Sequence, residues 1–204
     1  MKILLRPVQI SDLFALQLLE KKVFGENFSN SVFEVSKKTE DWLGYIAIIK
    51  IKFFGFYKHK IIGFIKMSNI LDEFHIDSFG VDPLFRRISI GELLLVVSLI
   101  KSIEIGSKIC TLEVRKSNFN AQNLYSKYKF QTKGIRKNYY SINRENALIM
   151  TAQDINSDEY LRFLFKQIKK MNLEYTTQSC YYYKIPSATV ILRRIISLFN
   201  NRFG

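Results

Sequence analysis

The stretch TLEVRKSNFNAQNLYSKYKF, residues 111–130, constrains this chain more than any other. Residues 110–115 read as a strand. Ser117 and Asn118 are residue types that cap helices, because their side-chain oxygens accept the first unpaired backbone N–H groups. Behind them Ala121, Leu124, Tyr125 and Tyr128 recur at helical spacing. Strand, short connection and helix together predict that a carboxylate, Glu113, and a phenol, Tyr125, meet at one cleft on the carboxyl edge of a sheet.

The rest of the composition narrows the class. With 204 residues, of which 48% are hydrophobic, the chain can build one domain with a real core, or a domain and an appendage, and disorder is not expected. No apolar run reaches the length of a membrane span; the best, residues 93–100, is too short and follows Glu92. Arg6 interrupts the apolar start and no cleavage site follows, so a secretory leader is not expected. Cys110 and Cys180 lie far apart and could form one disulfide, but read better as reduced thiols, which points to the cytoplasm or a plastid stroma. Abundant Ile, Lys, Asn, Phe and Tyr with few Gly and Pro are the bias of AT-rich genomes, chloroplast genomes among them. The net charge of +13 fits either a solvated basic surface or an anionic partner: a nucleotide, the ribosome or a lipid headgroup layer.

In chain order, residues 3–6 form a strand stopped by Pro7, and Ser11 and Asp12 cap a helix bearing Leu13, Leu16, Leu19 and Val23. A second helix starts at residues 28–31 and carries Val32, Phe33 and Val35; Trp42 follows in a loop. Residues 45–54 and 60–67 are strands of a hairpin whose tip, residues 55–59, is basic, with His59 solvated. Residues 74–81 form a strand closed by Asp82 and Pro83. His75 stands near its start, and neither histidine neighbours a Cys or acidic cluster in sequence, so no metal is expected. A helix over 91–105 is stopped by Gly106, and residues 133–140 and 147–150 give a last strand pair. Asp158 caps a helix over 159–171. Residues 181–183 read as a strand and 190–199 as an apolar helix. That last helix docks on the domain or on a second copy of the chain, or lies on a membrane surface with Arg193, Arg194 and Arg202.

The string LEVRxSNxxAxxLYxxxxF, here Leu112, Glu113, Val114, Arg115, Ser117, Asn118, Ala121, Leu124, Tyr125 and Phe130, resembles the GNAT acetyltransferases. Within them it is similar to the ribosomal-protein alanine N-acetyltransferase branch of cyanobacterial and plastid type. Lys137 to Tyr140 and Ala147 to Met150 continue the likeness in order. It covers about residues 3–152, roughly three quarters of the chain, and leaves 153–204 as a mainly helical extension. The resemblance implies an α/β fold in three layers: a mixed, mostly antiparallel central sheet with helices on both faces.

It also implies a site. Phe79, Gly80 and Val81 become the strand edge that meets the pantetheine arm of acetyl-CoA. Arg86, Arg87, Ile88, Ser89, Ile90, Gly91 and Glu92 become the phosphate loop, where a helix N-terminus favours an anion, and Asn118 a further cofactor contact. Glu113 corresponds to the general base and Tyr125 to the general acid; Tyr139 and Tyr140 shape the cleft for a protein N-terminal or lysine amine. Taken singly, Glu113 could instead be a structural ion-pair partner, of Arg115 for instance, and Tyr125 a half-buried helix aromatic.

Three positions depart from the family pattern. Ser89 stands where a first glycine is usual, Glu92 where a basic residue is common, and Lys129 where a glycine precedes Phe130. Ser89 could crowd the phosphates and Glu92 repel them. These departures motivate a rival expectation, a GNAT-fold module that has lost turnover and binds RNA, ribosome or membrane.

Overall fold

The computed structural model describes residues 3–25, 42–54, 56–70, 73–141 and 143–177. The elements expected at 28–35, 181–183 and 190–199, and Cys180, lie outside these residues.

Among the described residues, seven strands form one sheet. They are β1 (Ile3–Pro7), β2 (Trp42–Phe53), β3 (Phe56–Ile70), β4 (Glu73–Val81), β5 (Ile109–Arg115), β6 (Gln131–Tyr140) and β7 (Glu145–Ala152), in the order β1-β2-β3-β4-β5-β7-β6. Four α-helices accompany them: α1 (Leu13–Phe24), α2 (Ile90–Ile105), α3 (Phe119–Lys127) and α4 (Asp158–Thr177). Only β4 and β5 pair in parallel, because α2 carries the chain back between them; the other described pairs are antiparallel. This is the mixed, mostly antiparallel sheet that the resemblance implies.

The pleat of β2 sorts the core. Ile46 and Ile48 join Phe64, Leu16 and Leu19 beneath α1, whereas Tyr45, Ala47 and Ile49 join Ile62, Ile65, Leu94 and Leu99 beneath α2. Each large side chain so buried contributes about 1.5–3 kcal/mol relative to exposure. Leu94, Leu95 and Leu99 of α2 are fully buried, and its buried hydroxyls Ser98 and Ser102 donate to the carbonyls of Leu95 and Leu99. Tyr160, Leu164 and Ile168 of α4 belong to the same core, and Tyr160 Oη donates to the Tyr128 carbonyl at 2.9 Å. The first part of the segment beyond residue 152 is thus packed into the domain.

Local details correct the sequence reading. Trp42, expected in a loop, opens β2 opposite Ser68 and packs against the α1 core. Asp12 makes no side-chain cap to α1; its carboxylate takes both Arg6 guanidinium nitrogens, at 2.6 and 2.7 Å, and the Gln9 N–H. The hairpin tip is only two residues long, since Phe53 pairs with Phe56. At α4 the capping oxygen is Ser157 Oγ, which accepts the Tyr160 N–H, and the helix continues to Thr177.

Candidate active site

The parallel ladder between β4 and β5 begins at Glu73 and Ile109 and ends at Ile76 and Leu112. It ends at a β-bulge. Lys66 and Met67 of β3 face Ser78 and Ile76, which leaves Asp77 as an extra residue on β4. A bulge bends its strand and interrupts pairing, and beyond it residues 77–81 have no ladder to residues 113–115. Asp77 is held by the Lys66 ammonium at 3.3 Å and by the Ser68 hydroxyl, and Lys66 is itself buried. The sheet is therefore split around Gly80 and Val114. Gly80 has no room for a side chain: a Cβ there would come within 2.8 Å of the Phe64 ring.

At the mouth of the split stands Glu113. Its Oε2 lies 2.9 Å from His75 Nε2 and its Oε1 3.2 Å from Arg136. His75 has no acidic cluster beside it in sequence, but parallel pairing sets it beside Thr111 and so within reach of Glu113. His75 Nδ1 in turn lies 2.9 Å from Thr111 Oγ1, so both ring nitrogens are engaged. The bond to Glu113 raises the His75 pKa against the opposing effect of burial, and the same bond lowers that of Glu113. Arg115, the partner suggested by sequence for Glu113, pairs instead with Glu145 at 3.0 Å.

Tyr125 of α3 is buried, its ring 6.2 Å from that of Phe79 on the split strand and 5.9 Å from Phe130. Burial drives its pKa upward, so the phenol keeps its proton. Tyr139 and Tyr140 meet edge to face at 5.2 Å. The Arg136 guanidinium lies 5.5 Å from the Tyr139 ring centroid and that of Arg115 3.8 Å from Tyr140. Burial pushes Tyr140 up to about 12. Arg136 thus links Glu113 to Tyr139, and Phe79 touches Tyr125. Of Ser117 and Asn118, only Asn118 caps α3, its Oδ1 accepting the Ala121 N–H, while the Ser117 N–H donates to Glu145.

Backbone conformation and one ion pair accommodate the three departures from the family pattern. Arg87 and Ser89 adopt left-handed backbone, with φ of 66° and 61°, and Lys129 does so with φ of 64°. These are conformations that glycine reaches without strain, so Ser89 and Lys129 keep the backbone path a glycine would take. Glu92 faces α3 and is neutralised there by Lys127 at 2.5 Å, with the Tyr128 hydroxyl donating to it at 2.7 Å. Arg86 turns back to the Val81 carbonyl at 3.2 Å, and Arg86, Arg87 and Ile88 remain exposed. Gly91 places the first turn of α2 beside the strand edge, where a Cβ would make ordinary contacts with Phe79 and Val81 at 3.4 and 3.6 Å. Ile90, fully buried, anchors that turn to the core.

A mixed sheet split at its parallel pair, with a helix start facing the split, defines the acetyltransferase class of fold. The crystal structure of the ribosomal-protein-S18-alanine N-acetyltransferase of Escherichia coli superposes with a TM-score of 0.62 at 28% identity, over 74% of this chain and 94% of that one. The family model of the GNAT acetyltransferases matches residues 15–130, and the chain belongs to that family. A ribosomal protein bS18-alanine N-acetyltransferase of Haemophilus influenzae is 39% identical over 95 residues, 45% of this chain and 64% of that protein. An N-alpha-acetyltransferase of Sulfolobus acidocaldarius is 29% identical over 154 residues, 72% and 90% of the two chains. The bS18-type relatives are matched over 60 to 64% of their own length.

Proposed function

We propose that this chain transfers the acetyl group of acetyl-CoA to a primary amine at a protein N-terminus by direct attack. The carrying observation is the split: the β4–β5 ladder ends at Ile76 and Leu112, and the Glu113–His75 pair stands at its mouth. The acceptor named for several matched relatives, alanine of ribosomal protein bS18, is the acceptor to test first, and it makes the ribosome a partner. A lysine side chain is the second acceptor to test.

Acetyl-CoA supplies the activated thioester. Backbone N–H groups of residues 79–81, freed from β5, receive its arm and polarise the acyl oxygen. The first turn of α2, with its unpaired N–H groups and Arg86 and Arg87 beside it, holds the diphosphate end. Glu92 does not oppose this, since Lys127 balances its charge. Asn118 borders the same arm from the start of α3.

An ammonium must lose a proton before it attacks. The carboxylate of Glu113 alone is a weak base, its pKa lowered by His75. The pair acts as one acceptor, with apparent pKa values that belong to both groups. With His75 neutral, a proton reaching Glu113 directly or through a water is passed to the imidazole, and the pair takes it up above the ordinary histidine value. A base near the working pH suits this step. Tyr125, kept protonated, gives its proton to the departing thiolate. Tyr139 and Tyr140 flank the acceptor backbone, and Arg136 screens Glu113 from solvent.

The test is to mix the purified chain with acetyl-CoA and a peptide beginning with the bS18 N-terminus, and to follow thiol release. Expected is release that depends on the free N-terminal amine; release that persists with an N-terminally blocked, lysine-containing peptide would reassign the acceptor. Left-handed backbone at Ser89 and Lys129 and the Lys127 pair at Glu92 favour this reading over the non-catalytic module that those departures suggested.

A further inference from the structure

Among the described residues, β1 pairs with β2 as far as Ile49 and β4 with β3 as far as Gly63, and the β2–β3 hairpin continues past both as an arm. Among the described residues, 50–53 and 56–59 therefore pair only with each other. At its tip Phe54 is 87% exposed, Phe56 80% and Tyr57 64%. Behind the tip come Lys50, Lys52, Lys58, His59 and Lys60, and no Asp or Glu occurs between Trp42 and Leu71. Lys50, Lys58 and His59 are exposed; the Lys50 ammonium lies 4.1 Å from the Tyr57 ring centroid, and Lys60 is shared with Asp82 at 3.4 Å.

We propose that this arm docks on an anionic lipid surface. The charge and the apolar surface are sorted by depth. The rungs run Phe53 with Phe56, then Lys52 with Tyr57, Ile51 with Lys58, and Lys50 with His59. At about 3.4 Å per residue, the basic collar begins roughly 3 Å behind the aromatic rung and extends to roughly 10 Å. Interfacial elements bury their apolar side about 5–10 Å into the headgroup and acyl boundary. Phe54 and Phe56 enter that boundary, Tyr57 takes the headgroup level that suits a ring with a polar tip, and the lysines meet the lipid phosphates. Single-stranded RNA is gripped differently, by rings alternating with cations along a groove; here the rings are gathered at one end and the cations stand behind them. Docking of this kind uses no residue of the β4–β5 split and does not rest on acetyl transfer.

The test is co-sedimentation of the full chain with vesicles of phosphatidylcholine alone and of equal parts phosphatidylcholine and phosphatidylglycerol. Three chains are compared: the parent, Phe54→Ser/Phe56→Ser and Lys50→Glu/Lys58→Glu, each first checked for an unchanged melting temperature. The parent is expected to bind the anionic vesicles, less so in high salt, and each double variant to bind at least about tenfold more weakly. Binding that is absent, or equal in parent and both variants, overturns the proposal, the latter placing any lipid contact elsewhere in the chain. Variants that lose single-stranded RNA while keeping their vesicle binding overturn it in favour of RNA.

Discussion

His75 Nε2 and Glu113 Oε2 lie 2.9 Å apart across the one parallel strand pair among the described residues, at the point where that pair separates. Each partner stabilises the charged form of the other: the bond raises the pKa of His75 above 6.5 and lowers that of Glu113 below 4.5. The consequences for rate and for stability have opposite signs. As a proton acceptor the pair works when His75 is neutral, so kcat should rise with pH through a midpoint above 6.5. His75→Gln should lower kcat and move that midpoint toward the acid side, with the Michaelis constant for acetyl-CoA little changed. A pH profile of kcat for both proteins checks this, and an unshifted profile would remove His75 from the proton transfer.

Stability follows linkage. His75, with a raised folded pKa, contributes fully below its unfolded value and loses that contribution as pH rises through the folded value. Glu113, with a lowered one, contributes above its unfolded value and loses that contribution as pH falls through the folded value. The pair should stabilise most between 4.5 and 6.5. The difference in melting temperature between the parent and His75→Gln, measured across pH, should be largest in that window and shrink on both sides.

Tyr125 is buried against Phe79 and Phe130, so Tyr125→Phe keeps the ring contacts and removes only the hydroxyl. If the hydroxyl protonates the leaving thiolate, kcat should fall on the order of 10²-fold, the lower end of acid–base contributions, while acetyl-CoA affinity holds. Steady-state kinetics and a thermal-shift titration separate the two quantities.

Asp77 is the extra residue that ends the β4–β5 ladder, and its carboxylate neutralises the buried Lys66. Asp77→Ala should cost about 1–3 kcal/mol by leaving that ammonium without its partner. Its effect on acetyl-CoA binding should exceed its effect on amine binding, because the strand that bends away there is the one that receives the arm. Chemical denaturation and two Michaelis constants give the readouts.

Ser89 holds a φ of 61° immediately before α2. Ser89→Gly should relieve that backbone and stabilise the protein by about 0.5–1 kcal/mol, a modest gain because glycine also adds freedom to the unfolded chain. Acetyl-CoA affinity should stay level or improve. A loss of affinity would mean that the serine hydroxyl itself contacts the ligand.

Local order carried far in this chain. Residues 110–128 fold as strand and helix, as the Asn118 cap and the helical spacing dictate, with Glu113 on β5 and Tyr125 on α3. What escaped the sequence depends on register between distant strands. His75 meets Glu113 only because β4 and β5 pair in parallel, and Arg136 arrives from β6, the far edge of the sheet. The apolar residues of EFHIDSFGV change phase, from Phe74 and Ile76 to Phe79 and Val81, but only the pairing with β3 shows Asp77 to be the extra residue. Glu92, read as a repelling charge, is balanced by a lysine on the following helix that no pattern near residue 92 announces. Asp12, a helix-capping type by composition, serves Arg6 of β1 instead.

The split between β4 and β5 is tested most directly by a crystal structure of the chain with coenzyme A. The account predicts the thiol-bearing arm between residues 79–81 and Val114, with the diphosphate against the turn at residues 87–91. Coenzyme A lodged elsewhere, or the two strands paired beyond Ile76 and Leu112 with the ligand bound, would contradict it.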